Sequence, residues 1–109
     1  MNSKRKGNRG ELELLHILEA QGLQAERNDQ TFIGGRENPD ISLPGLHIEV
    51  KRVEALRLSE AINQAKADAA PGVLPVVMHR RNRGGWIAFM QLEDFLNLYK
   101  AMEGQTCSL

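Results

Sequence analysis

Residues 38–52 read NPDISLPGLHIEVKR, and this stretch decides the predicted fold. A Pro-Asp pair opens a short apolar run, a Pro-Gly turn follows, and a second run contains Glu49, Val50 and Lys51 in succession. Because successive side chains of a strand point to opposite faces of a sheet, we expect Ile48 and Val50 to face a core. Glu49 and Lys51 then lie together on the opposite face, which is therefore charged.

The charged face has two interpretations. On an amphipathic strand, an exposed Glu and Lys pair would contribute little to stability. The alternative involves Asp40, because the turn brings the start of the first strand beside the middle of the second, where Asp40 and Glu49 converge next to Lys51. Two adjacent carboxylates repel each other unless a cation lies between them, and their hard oxygen atoms suit Mg²⁺. An amine with an adjustable pKa beside a metal-bound water is suited to phosphodiester hydrolysis.

This Pro-Asp, then Glu-x-Lys arrangement resembles the PD-(D/E)xK nuclease superfamily, and within it the archaeal-type Holliday-junction resolvases and their phage relatives. The resemblance spans roughly residues 6–95. It implies a restriction-endonuclease-like core, cleavage of DNA that leaves 5′-phosphates, and a homodimer that presents two sites to a branched or junction DNA. The positions that carry the resemblance are Lys6-Gly7, Glu11, Arg27, Pro39-Asp40 and Glu49-Val50-Lys51.

The resemblance also implies roles for individual residues. Asp40, Glu49 and the backbone carbonyl of Val50 are expected to hold Mg²⁺, for which Mn²⁺ is expected to substitute. Glu11 would complete the acidic cluster, either as a direct ligand or through water. The metal would polarise the scissile phosphate and lower the pKa of the attacking water, while Lys51 orients that water or stabilises the developing charge.

Glu11 belongs to a predicted helix over residues 10–21. It lies on the same face as the leucines at positions 14, 15 and 18, and burial of an unpaired carboxylate is costly. One interpretation places Glu11 in an exposed first turn, where the helix dipole favours an acid. The other directs it towards the metal, and the resemblance favours this second interpretation.

Basic residues are concentrated in two segments. The chain has 14 Lys plus Arg and 14 Asp plus Glu, a balance that taken alone argues against binding of nucleic acid. However, four basic residues and no acid lie in residues 1–9, and three arginines lie in residues 80–85. The second segment is either a solvated hairpin tip or a basic loop that contacts phosphates. The DNA-binding candidates in these segments are Lys6, Arg9, Arg80, Arg81 and Arg83, and the resemblance implies a phosphate contact for Arg27 as well.

Hydrophobic periodicity supplies the remaining elements. Residues 56–70 and 92–102 predict helices, and in the second the apolar residues at i, i+3, i+4 and i+7 from Leu92 are expected to pack in the core. The polar segment 28–37 is expected to be a loop that borders the cleft, or the end of a hairpin. The predicted fold is an α/β domain over residues 1–109, with a mixed sheet flanked by helices in the order αβββαββα and flexible ends at 1–5 and 104–109. The predicted strands over the rest of the chain are 23–27, 73–79 and 86–90.

Other features exclude several classes of protein. Cys107 is the only cysteine, so the sequence predicts no disulfide framework and no thiolate metal site. No apolar run reaches membrane-spanning length and the basic start lacks the apolar segment of a secretory signal, so we expect a cytoplasmic protein. Two alternatives to a resolvase are a nuclease of the same fold that acts on duplex ends, flaps or phage or mobile-element DNA, and an inactive DNA-binding relative.

Overall fold

The computed structural model describes the backbone of residues 3–28, 32–33, 36–37 and 39–107, and the side chains of residues 9–28 and 39–104. Three helices and seven strands lie in these residues. Their order is α1 (Ser3–Ala20), β1 (Glu26–Arg27), β2 (Phe32–Ile33), β3 (Arg36–Glu37), β4 (Ile41–Leu43), β5 (Leu46–Lys51), α2 (Leu58–Asp68), β6 (Leu74–His79), β7 (Ile87–Phe89) and α3 (Leu92–Cys107).

Five strands form one mixed sheet in the order β1-β4-β5-β6-β7. The central pair β5 and β6 is parallel, and the other neighbours are antiparallel. The strands β2 and β3 pair separately as a small antiparallel hairpin. With this hairpin set aside, the order is αβββαββα, so the predicted fold class is confirmed. The hairpin falls within the segment 28–37, where the sequence predicted a loop or the end of a hairpin.

The two faces of the sheet carry separate cores. On one face, Leu14 of α1 packs with the buried residues Ile41, Ile48 and Val50. On the other face, alanines of α2 pack with Val77 of β6. Strand β5 is therefore covered on both faces, and its residues from position 47 to position 50 are all buried. The helices thus sandwich the strand that carries Glu49.

Helix α1 begins at Ser3, well before the predicted start at residue 10, and Gly10 lies inside it. A Cβ atom on Gly10 would lie 2.7 Å from the Cβ of Arg52 and 3.7 Å from Cγ1 of Val50. A glycine inside a helix costs about 0.5 to 1 kcal/mol relative to alanine. Here its missing side chain allows α1 to approach the end of β5 closely, which fixes the position of the next residue, Glu11.

Helix α3 differs most from expectation. The sequence predicted that its apolar side chains pack in the core, but Leu92, Phe95, Leu96 and Tyr99 are 70%, 52%, 44% and 45% exposed, so this prediction is wrong. Amphipathic spacing identifies an apolar face and does not identify what covers it. Both α1 and α3 also extend into terminal segments that we expected to be loose. None of the helices in the described residues is long and apolar enough to span a membrane.

Candidate active site

Asp40 and Glu49 lie side by side. In the antiparallel pairing of β4 with β5, Ile41 is opposite Ile48, so continuing the register by one residue sets Asp40 opposite Glu49. Both residues are buried, with 8% and 7% of their surface exposed. The interpretation of Glu49 as part of an exposed surface pair is therefore excluded, and two carboxyl groups share one buried location.

Asp40 is also anchored to the backbone of β5. The amide of Val50 donates a hydrogen bond of 2.8 Å to Oδ2 of Asp40. In a strand the N–H and C=O of one residue point to the same side. The carbonyl of Val50 consequently points towards Asp40, whereas the carbonyl of Lys51 points the other way and accepts from the amide of Arg80. The Val50 carbonyl is thus oriented towards the same side as the two carboxyl groups.

Glu49 is held by a buried histidine. Nε2 of His47 lies 2.8 Å from Oε1 of Glu49, and His47 is only 2% exposed. Burial raises the pKa of Glu49, and the charge of Asp40 raises it further. The hydrogen bond and charge of His47 act in the opposite direction and are outweighed. The shared parity of positions 47 and 49 on β5 is the sequence signal for this contact.

Glu11 lies within the electrostatic influence of Asp40. Its Oε1 accepts a hydrogen bond of 2.9 Å from Nε of Arg27, which ties α1 to the edge strand β1. Burial raises the pKa of Glu11 and the charge of Asp40 adds to this, while Arg27 opposes the shift. The sequence interpretation of Glu11 as a simple exposed first-turn acid does not describe this half-buried, paired carboxylate.

The donor atoms fit a hard divalent cation. The carboxyl groups of Asp40 and Glu49 lie together and the Val50 carbonyl points towards Asp40. A cation between the carboxylates would offset the repulsion that, after burial, contributes to the raised pKa of Glu49. Within residues 9–28 and 39–104, however, no group of three or more acidic, histidine or cysteine residues is arranged closely enough to hold a metal. The ligand set that fits is therefore the Asp40 and Glu49 pair with the carbonyl of Val50.

Lys51 follows on the same face of β5 as His47 and Glu49, and it is half-buried. It lines a hollow of about 280 Å³ together with Gln64 of α2. Gln64 is exposed, and its side-chain amide donates a hydrogen bond of 2.7 Å to Asp68.

The structure separates the three arginines of the loop 80–85. Nε of Arg80 donates to the carbonyl of Gly84 at 2.8 Å, and its guanidinium forms an ion pair with Glu13 of α1. Glu13 also accepts a hydrogen bond of 2.8 Å from the indole of Trp86. Arg80 is therefore engaged within the protein. Arg81 and Arg83 are exposed and line a cleft of about 930 Å³.

Asn82 anchors the middle of this loop. The backbone N–H of Asn82 donates a hydrogen bond of 2.7 Å to the carboxylate of Glu54. The side-chain oxygen of Asn82 accepts a hydrogen bond of 2.7 Å from the guanidinium of Arg52. These contacts hold the loop against the segment that follows β5. Of the other DNA-binding candidates, Arg9 is exposed, whereas the side chain of Lys6 lies outside the described residues.

Sequence reasoning missed several supporting residues. Asn28 donates hydrogen bonds to the carbonyl of Pro39 at 3.1 Å and to Ser42 at 3.2 Å, and so holds the segment that precedes β4. Glu13 binds Arg80 and Trp86, which lie far along the chain. No spacing pattern in the sequence links such distant positions.

The mixed five-stranded sheet flanked by helices is consistent with the restriction-endonuclease-like fold. A solved structure supports this fold: Hjc, a Holliday junction resolvase from the archaeal hyperthermophile Archaeoglobus fulgidus, is similar to this chain with a TM-score of 0.55 and 26% sequence identity. The similarity covers 77% of this chain and 76% of that chain. No family model and no curated protein matches the sequence. The resemblance inferred from the sequence is confirmed by this structural neighbour.

Proposed function

We propose that this protein is a metal-dependent, structure-selective DNA endonuclease of the Holliday-junction-resolvase type. It hydrolyses phosphodiester bonds and leaves 5′-phosphates. The observation that carries the proposal is the buried Asp40 and Glu49 pair, fixed by the β4 and β5 register and by the Val50 amide. The structural similarity to an archaeal Holliday junction resolvase supports junction DNA as the substrate class.

Asp40, Glu49 and the carbonyl of Val50 would hold Mg²⁺ or Mn²⁺. When bound, the cation supplies Lewis acidity at the scissile phosphate and lowers the pKa of a coordinated water. Glu11 contributes through water, since within the described residues it is not part of a compact ligand group. Arg27 holds the Glu11 carboxylate in position by its hydrogen bond.

Lys51 acts beside the carboxylate pair. Its parity on β5 places its ammonium on the face of Glu49, and its half-buried position leaves it accessible from the hollow that it shares with Gln64. A flexible ammonium in this place orients the attacking water or stabilises the negative charge that develops on the phosphate. Lys51 is therefore proposed as a catalytic residue.

The grip on DNA comes from exposed cations around the site. Arg81 and Arg83 project from a loop whose centre is anchored by Asn82, so they can meet a phosphate backbone from a firmly held base. Arg9 on α1 and the partly exposed Arg27 are further phosphate contacts. Lys6 stays a prediction. The protein acts as a homodimer, because a small chain gains a second site and a larger DNA surface from a second copy.

The test is cleavage of a synthetic four-way junction and of a linear duplex, each with Mg²⁺, with Mn²⁺ and with a chelator. Symmetric nicks in the junction that DNA ligase can seal are expected only with metal. Lys51→Ala should abolish cutting and leave junction binding largely intact, whereas Lys66→Ala, an exposed lysine on α2, should cut normally. If Lys51→Ala cuts at nearly the wild-type rate, the assignment of the site is wrong.

The same experiment separates the two alternatives. Broad cutting of the linear duplex, or of flaps and ends, would identify a nuclease of this fold with another substrate. Binding of the junction without cutting under any metal condition would identify an inactive DNA-binding relative. Within the described residues, no three ligand side chains form a compact group, and this observation favours the last alternative.

A further inference from the structure

Helix α3 exposes a continuous set of large apolar side chains. Six large apolar residues of α3 are between 42% and 70% exposed. Taking about 200 Å² for a fully exposed side chain of this size, they leave roughly 600 Å² of apolar surface open to solvent. This lies at the upper end of the roughly 300 to 600 Å² that the largest apolar patch of a typical monomer covers, and such patches are often functional. The members of this set, called here the α3 face, are Leu92, Phe95, Leu96, Leu98, Tyr99 and Met102.

The α3 face lies on one side of the helix. At 3.6 residues per turn, all six positions fall on the side opposite Asn97, and the rings of Phe95 and Tyr99 stack within this face with centroids 6.5 Å apart. Asp94 and Lys100 lie towards the Asn97 side. The helix also packs only sparsely on the rest of the described chain. The face is therefore presented outward as one surface and is not a set of scattered exposures.

The spacing of the α3 face is symmetric about Asn97. Position 92 mirrors 102, position 95 mirrors 99, and position 96 mirrors 98, so each apolar residue has an apolar residue at the mirrored position. A second α3 that runs antiparallel, related by a two-fold axis at the level of Asn97, would meet apolar side chains along the whole contact. Interfaces of this self-complementary kind are those of two-fold dimers.

We propose that the α3 face is the dimer interface and that its occupant is the α3 face of a second copy of this chain, packed antiparallel. The area agrees with this occupant, because a standard stable interface buries about 800 Å² per partner and the α3 face supplies most of that. The inference rests on the homodimer in the proposed function and names its surface. Dimerisation is measured without nuclease activity, so a failure of this interface is distinguishable from a failure of the proposed nuclease activity.

The first test compares the mass in solution of three proteins by sedimentation equilibrium over a range of concentrations. The wild-type chain is expected to be a dimer. Phe95→Glu places a charge in the middle of the α3 face and should weaken association at least 100-fold, whereas Asn97→Glu places the same charge on the opposite side of the same helix and should leave the dimer intact. Circular dichroism checks that both variants stay folded. A monomeric wild-type chain, or a Phe95→Glu protein that remains a dimer, would overturn the proposal.

The second test addresses the orientation of the two helices. In a chain with Cys107→Ser, a single cysteine is introduced by Leu96→Cys or by Met102→Cys and treated with a short bis-maleimide. With a rise of 1.5 Å per residue, antiparallel packing about Asn97 separates the two copies of position 96 by about 3 Å along the axis and those of position 102 by about 15 Å. Cross-linking at 96 and not at 102 is therefore expected. Equal cross-linking at both would indicate parallel helices, and none at either position in a dimeric protein would indicate another surface.

Discussion

Asp40 accepts a hydrogen bond from the backbone amide of Val50, and this contact joins the Pro-Asp segment to the strand that carries Glu49. The carboxyl group therefore has two separable properties, its capacity to accept this bond and its charge. The buried amide would lose its partner if the carboxyl were removed, and an unpaired buried donor costs about 1 to 3 kcal/mol. The negative charge of Asp40, by contrast, would bind a cation, and it contributes to the raised pKa of the neighbouring acids Glu11 and Glu49.

Two substitutions at Asp40 separate these properties. Asp40→Ala removes both, so we expect a loss of about 1 to 3 kcal/mol in the free energy of unfolding, measured by urea denaturation, and no metal-dependent cleavage. Asp40→Asn keeps an acceptor for the Val50 amide and removes the repulsion with Glu49. It should stay close to wild-type stability and still fail to cut. An Asp40→Asn protein that cleaves junctions normally would contradict the metal site.

A second prediction concerns Glu49 and metal binding. Since burial and the charge of Asp40 raise the pKa of Glu49, its ionised form destabilises the metal-free protein as the pH rises through the folded-state pKa. At pH 7.5 without metal, Glu49→Gln should therefore be at least as stable as wild type. Mg²⁺ at ten times its Kd should stabilise wild type by roughly 1.4 kcal/mol, and this gain should be absent in Glu49→Gln. Thermal unfolding with and without Mg²⁺ measures both effects, and an equal gain in the two proteins would place the metal elsewhere.

Gly10 gives a third prediction. Alanine in the middle of a helix normally stabilises it by about 0.5 to 1 kcal/mol, but at position 10 the new Cβ would lie 2.7 Å from the Cβ of Arg52. We expect Gly10→Ala to destabilise the protein by about 1 to 3 kcal/mol and to slow cleavage, because α1 must move and carry Glu11 with it. The matched control is Gly104→Ala in α3, where no atom lies near the added Cβ and stability should hold or rise. Similar effects of the two substitutions would show that α1 has room at residue 10.

These residues also show which contacts can be predicted from the sequence and which cannot. The convergence of Asp40 and Glu49 followed from the alternation of side chains in a strand and from the Pro-Gly turn, both local properties. The contacts of Glu13 with Arg80 and Trp86 join positions 67 and 73 residues apart. Such pairs depend on how elements pack, which periodicity does not encode. The same reason explains α3, since its spacing correctly predicted a helix with an apolar face and could not indicate that the face stays open within the chain.

The fourth prediction is a pH dependence that arises from Glu13. Burial would raise the pKa of Glu13, but hydrogen bonds from Arg80 and Trp86 and the charges of Arg80 and Arg52 outweigh it, so the pKa is lowered. A lowered pKa stabilises the folded protein above the unfolded-state pKa, and this stabilisation is lost as the pH falls through the folded-state pKa. Glu13→Gln should therefore cost about 1 kcal/mol at pH 7, with the difference from wild type shrinking below pH 4.5.

The measurement for Glu13 is urea denaturation of both proteins at several pH values between 7 and 3. Glu19→Gln is the matched control, because Glu19 is an exposed acid on the same helix. Its unfolding free energy at pH 7 should lie within about 0.5 kcal/mol of wild type. A Glu13→Gln deficit that is constant across the range would mean that shape, and not the charge of Glu13, holds α1 against the loop 80–85.

The last prediction separates the arginines of that loop. Arg81 and Arg83 are exposed, so the double replacement by alanine should leave the unfolding free energy within about 0.5 kcal/mol of wild type. If each contacts one phosphate, the dependence of log K on log salt concentration should become shallower by about 2. Arg80→Ala should do the reverse: it loses the ion pair with Glu13 and the bond to Gly84, so stability falls while the salt dependence changes little. Junction binding by fluorescence anisotropy at several salt concentrations, with Lys66→Ala as a control, checks this division, and an unchanged salt dependence in the double variant would remove the loop from the DNA-binding surface.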